Sequence, residues 1–128
     1  MNYLNTVNSN IHTAEAIFEN PSKLPTVITG HIRFTSISQN KTNVSGKLDS
    51  GIFDQEAAYY HFKIIDRSKK LIYDLTADGL TEWSVKVPGT TSFQHDFDKL
   101  PIIEIVDQFF EVNHSKKGTV GMTMIKPI

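Results

Sequence analysis

The chain has 128 residues, 39% of them hydrophobic and 10% aromatic, which is one domain's worth of chain with enough apolar content to bury a core unaided. Thirteen basic residues stand against 14 acidic ones, for a net charge of −1, and Arg33 and Arg67 are the only arginines, so nothing favours nucleic acid or a phosphate-rich partner. No apolar run approaches the roughly 20 residues of a membrane span, and with no cysteine, disulfides, thiolate catalysis, zinc ribbons and iron–sulfur clusters are all excluded.

Residues 1–12 are polar and aperiodic, which predicts a flexible N-terminal arm ahead of a single domain over 13–128. The opening Met1–Thr6 lacks the basic and apolar regions of a signal peptide. Three glycosylation sequons begin at Asn40, Asn43 and Asn113 and lean toward a secreted or surface location. Ala14–Phe18 is a short apolar stretch, and Pro21 and Pro25 beyond it favour a strand over a helical turn. From Thr26 the period is two. Ile28, Gly30, Ile32 and Phe34 alternate with Thr29, His31, Arg33 and Thr35, the mark of a half-buried strand. A polar turn over Ser38–Asn43 leads into a return strand, Val44–Leu48, and so to a hairpin.

Ala58–Ile65 is the strongest strand, with Tyr60, Phe62 and Ile64 on one face and Tyr59, His61 and Lys63 on the other. A basic turn, Arg67–Lys70, separates it from Leu71–Leu75, and Trp83–Val87 reads as a further strand closed by Pro88-Gly89. Residues 89–101 are mostly polar and read as loop, while Ile102–Val106 suits either a strand or a short helix. Phe109–His114 and Thr119–Ile125 form a last pair of strands around the turn Ser115–Gly118. About seven or eight short strands, with turn signals about every 8–12 residues, describe an antiparallel sandwich or barrel. The fold class is all-β.

No P-loop, G-x-G-x-x-G, H-E-x-x-H or G-x-S-x-G occurs. His12, His31, His61, His95 and His114 are the only candidates for metal ligation or proton transfer near neutral pH, and no two share local ligand spacing. Asp96 and Asp98 lack the spacing of a calcium loop. These carboxylates, the Arg67–Lys70 run and Lys116-Lys117 all read as solvated surface charge.

Three stretches carry a resemblance. Val27-Ile28-Thr29-Gly30-His31-Ile32-Arg33-Phe34 is similar to an early "V-x-G-x-I-x-F" strand, and Tyr60-His61-Phe62-Lys63 to a "Y/F-H-x-H" strand. Phe110–His114, followed by Lys116–Met122, is similar to a closing "V-V-V-H" strand, basic turn and last strand. Together, over about residues 13–128, they resemble the copper/zinc superoxide dismutase family, closest in style to its copper-only extracellular branch. The resemblance implies a Greek-key β-sandwich or barrel, related to immunoglobulin-like topology, in which residues 61 and 114 approach each other.

It also implies a degenerate metal site. Residues i and i+2 of a strand share a face, so paired histidines can grip one metal, but here Lys63 occupies the i+2 position, and a protonated lysine neither ligates nor tolerates a nearby cation. By the resemblance only His61 and His114 remain as vestigial metal residues, with His95 as a conceivable third. The zinc loop is collapsed into Arg67–Thr81, Thr123 falls near one missing disulfide cysteine, and Thr119 or Val120 falls where a superoxide-guiding arginine belongs.

The leading expectation is therefore a non-catalytic dismutase-like domain that expects no cofactor and acts as a binding or structural module, through a protein partner or self-association. Tyr59, Tyr60, Trp83 and Phe93 are its candidate interaction aromatics. One alternative is a dismutase or copper-handling protein that takes copper or zinc through His61, His114 and His95. The other is an unrelated β-sandwich adhesion module, since fold alone does not determine function.

Overall fold

Apolar side chains at every second position leave each strand of this chain with one face that must be covered. A computed structural model describes residues 11–22, 24 and 26–128, and in it the strands cover that face by curling around themselves. The arm expected over residues 1–12 lies outside the described residues as far as residue 10. From there His12 is tied down, its carbonyl accepting from the Ser36 N–H at 2.8 Å.

In chain order the elements are β1 (Thr13–Phe18), β2 (Thr29–Ser38), β3 (Lys41–Ser50), a 3-10 turn (Ala57–Tyr59), β4 (Tyr60–Ile65), β5 (Leu71–Asp74), β6 (Val85–Lys86), β7 (Gly89–Thr90), β8 (Phe93–Phe97), α1 (Ile102–Ile105), β9 (Phe109–His114) and β10 (Gly118–Pro127). Eight of the strands form one antiparallel sheet in the order β5-β4-β9-β10-β1-β2-β3-β8, curled into a half-barrel. β6 and β7 form a separate hairpin. That hairpin carries on the edge of β3 beyond the end of β8: the Leu48 N–H donates to Thr90 Oγ1 at 3.0 Å, and the Ile52 N–H to the Pro88 carbonyl at 2.8 Å.

The interior is an aromatic stack. The Phe62 ring on β4 lies 5.2 Å from Phe93 on β8, 5.2 Å from Trp83 and 5.8 Å from Phe110 on β9, centroid to centroid. Phe110 then meets Phe18 at 6.0 Å and Phe34 at 6.2 Å, edge to face. β4 and β8 stand near opposite ends of the strand order, so the Phe62–Phe93 contact measures how far the sheet has turned back on itself. Gly30 permits the tight start of β2. Its φ is +152°, and a Cβ there would sit 2.5 Å from the Lys47 carbonyl oxygen, beside the register shift between Thr29 and Gly30.

Two expectations change. Residues 89–101, read as loop, contain β8: its polar residues Gln94 and Asp96 face outward, while Phe93 and Phe97 are buried. The period of two is present there, but only pairing with β3 through Phe97↔Thr42, His95↔Val44 and Phe93↔Gly46 makes it a strand. The strand expected over Trp83–Val87 shrinks to Val85–Lys86, because Trp83 leaves the pairing to pack on Phe62. The Ile102–Val106 ambiguity resolves to one short helix, α1. No helix among the described residues is long and apolar enough to cross a membrane.

β5 is an edge strand, and Tyr73 anchors it to α1 by donating to Glu104 Oε2 at 3.0 Å. Burial, then the Glu104 hydrogen bond and charge, push the Tyr73 hydroxyl up to about 12. The neutral phenol is the form the fold prefers, so this contribution is complete below the ordinary tyrosine value near 10 and is lost as pH rises through the folded one. In an ultraviolet pH titration a tyrosine step near about pH 12 should be present, and it should vanish in Tyr73→Phe. Truncating the central ring, Phe62→Ala, should cost about 3–5 kcal/mol in denaturant unfolding. Ile103→Ser, at a half-exposed site, should stay within about 0.5 kcal/mol.

Candidate functional site

The histidines singled out by the resemblance lie at the start of β4 and the end of β9. The two strands are antiparallel neighbours with Tyr60 opposite His114 and His61 opposite Asn113. Side chains alternate along each strand, so the one-residue offset sends the histidines to opposite faces of the sheet. His114 points inward with Tyr60 and is 2% exposed, whereas His61 points outward.

Both ring nitrogens of His114 are engaged. Nδ1 accepts the Lys116 backbone N–H at 3.1 Å, which leaves the ring proton on Nε2 to be donated to Asp54 Oδ2 at 3.0 Å. Asp54 is held in turn by its neighbours, with Oδ1 accepting from the Glu56 N–H at 3.0 Å and its own N–H donating to Tyr60 Oη at 3.1 Å. The Glu56 N–H first, then the His114 bond, hold the Asp54 carboxyl below its ordinary value, and Lys116 adds to the effect. Tyr60 and Tyr59 set their rings edge-on to His114 at 5.0 and 5.5 Å, and Lys116 Nζ lies 4.5 Å above the Tyr59 ring. The cluster pins the 51–59 loop and the β9–β10 turn to the end of the barrel.

His61 performs the same service on the outer face. Its Nε2 lies 3.1 Å from Ser115 Oγ, and that hydroxyl donates to the Tyr59 carbonyl at 3.1 Å. Since the serine proton is directed to Tyr59, His61 acts as the donor. Lys63, two residues on, lies on this same outer face opposite Asp74 and Glu111. His95 is on β8, paired with Val44 of β3, its ring against Phe97 at 4.6 Å. With His61 and His114 on opposite faces of the sheet, the donor set His61, His114 and His95 does not fit a copper or zinc ion. Among the described residues no group of three or more histidine, aspartate or glutamate side chains is arranged to hold a metal.

The aromatics considered for an interaction surface belong instead to the interior. Tyr60 and Phe93 are buried because the faces of β4 and β8 that carry them turn into the barrel, and Trp83, ahead of β6, packs against the core. Tyr59 is half-buried beneath Lys116. Surface charges behave as read: Asp98 pairs with Lys41 at 3.4 Å, and Asp96 accepts from Asn43 at 2.7 Å. Sequence reasoning missed Asp54, which meets His114 across 60 positions with no local signal, and Glu111, a buried carboxylate on the outer face that accepts from Thr119 Oγ1.

Comparison of the chain with protein-family models, with curated proteins and with solved structures returns no match.

Replacing His114 by Phe keeps the volume but strips Asp54 and the Lys116 N–H of their partner, and should cost about 1–3 kcal/mol in denaturant unfolding. His61→Ala, on the outer face, should cost under about 1 kcal/mol. The Asp54 carboxyl titrates lower in the folded chain, so its contribution is present above the ordinary carboxylate value near 4 and is lost as pH falls through the folded one. Below about pH 4 the unfolding midpoint of the parent should therefore fall more steeply than that of Asp54→Asn.

Proposed function

We propose that the chain is a non-catalytic domain of the dismutase-like Greek-key type, acting by binding another protein or by shaping an assembly. The observation that carries this reading is how its histidines are used. His114 commits both ring nitrogens to Asp54 and Lys116, and His61 bonds Ser115 on the opposite face. A dismutase needs a metal that cycles between two oxidation states, held by ligands that accommodate both. These side chains are spent on holding loops to the barrel end, and Lys63 adds a cation where a second ligand would be needed.

The Greek-key part of the reading draws on the strand order. β3 lies beside β8 and β4 beside β9, so the connections β3–β4, β5–β8 and β8–β9 all cross between the two ends of the sheet. Such returns separate a Greek key from a simple meander.

The test is copper and zinc stoichiometry after loading and desalting, with superoxide decay followed in the same samples and His61→Ala alongside. The expected result is no retained stoichiometric metal and no acceleration of decay in either protein. Retention of one copper per chain, lost in His61→Ala and accompanied by dismutation, would overturn the reading and restore an enzyme.

A further inference from the structure

We propose that Asp78-Gly79 is a site of backbone isomerisation, where the main chain comes to run through the Asp78 side chain, and that His95 carries the protons for it. The chemistry needs no partner and is independent of what the domain binds. Asp78-Gly79 is the only Asp-Gly step in the chain, and Asn-Gly does not occur. Attack on an aspartyl carboxyl by the next residue's amide nitrogen is hindered by a side chain on that residue, and glycine has none. The φ of Gly79 is +126°, a conformation that favours glycine and keeps the nitrogen unhindered. Asp78 is exposed on the turn between β5 and β6 and joins none of the ion pairs among the described residues. The Gly79 N–H donates to the Thr76 carbonyl at 3.2 Å, a longer contact than the 3.0 Å of the Asp78 N–H to Asp74.

Folding brings His95 to this step from β8. Its ring lies against Gly79, where a Cβ would meet Nε2 at 2.7 Å and Cε1 at 2.8 Å. Asp78 and His95 border one hollow of about 330 Å³, together with Tyr73, Asp98 and Lys99. The ring hydrogen bonds among the described residues belong to His31, His61 and His114, which leaves both His95 nitrogens to a carboxyl or a water in that hollow. The imidazolium gives its proton to the Asp78 carboxylate, directly or through one water. The Gly79 nitrogen then bonds to Asp78 Cγ and the Cγ–O bond breaks. The departing hydroxyl leaves as water with the amide proton, which the imidazole passes across. A five-membered succinimide remains. Water next adds to the former main-chain carbonyl of Asp78 and breaks its bond to the Gly79 nitrogen, releasing one proton. The chain is then linked through Cγ and one methylene longer, directly ahead of the buried Leu80 and of Trp83, which packs on the core.

Incubation of the folded protein at physiological temperature tests this, with peptide mass spectrometry and methyl transfer by an isoaspartyl methyltransferase to locate the product. Far-ultraviolet circular dichroism shows that each variant is folded. Isoaspartate should accumulate at Asp78 ahead of every other aspartate and asparagine, preceded by a species lighter by one water. Asp78→Glu should abolish it, because the corresponding six-membered ring closes far more slowly. His95→Phe, which keeps a ring against Gly79, and His95→Gln should each slow conversion of the folded chain by about 10-fold. In urea the parent and both variants should convert at one rate. A His95 that merely packs would give the opposite sign, since removing its ring frees the turn and speeds conversion. An Asp78 that stays aspartyl in the folded parent, or His95 variants that convert as fast as the parent or faster, would overturn the proposal.

Discussion

The contact between Phe62 and Phe93 is the constraint on which the rest of this structure depends. A single sheet of eight strands has one apolar face and, among the described residues, only the four residues of α1 and the three of the 3-10 turn as helix to lay over it. The sheet must therefore supply its own cover. It curls until β4 faces β8, and the rings that meet there stack on through Phe110 to Phe18 and Phe34 on β1 and β2. Aromatic pairs add something beyond area burial, and their offset and edge-to-face geometry limits how the strands can slide.

At the ends, polar groups are closed off in pairs. His114 and Asp54 pin the 51–59 loop and the β9–β10 turn, and Thr42 donates to the Leu100 carbonyl at 2.5 Å where the chain passes the opposite end. Among the described residues no buried side-chain nitrogen or oxygen lacks a partner. A buried polar group without a partner costs about as much as a hydrogen bond is worth several times over, so these bonds are conditions of folding. They also explain why the two histidines cannot be borrowed for another task without loosening a loop.

The outer face is under weaker constraint and differs from place to place. Over β2 and β3 it carries His31, Arg33 and Lys47, ordinary charged decoration for a solvated sheet. Over β1 and β10 apolar side chains replace the charges around Ile17 and Met122.

By itself the sequence determined what is local. The alternation through Ile28–Phe34, Tyr60–Ile64 and Phe109–His114 placed three strands, since the period of two is a property of each strand alone. The turns at Arg67–Lys70 and Ser115–Gly118 were legible for the same reason: Asp66 caps the first through the Ser68 and Lys70 N–H groups, and both need only neighbours in the chain. Phe93–Phe97 was not legible, because a five-residue strand rich in polar side chains becomes one only beside β3. Nor was the site. His61 and His114 stand on adjacent strands, yet a single step of register decides whether they share a face. Asp54 finds His114 only after the chain has crossed the barrel end. Register and burial are settled by contacts between distant residues, and those exist only once the sheet has curled.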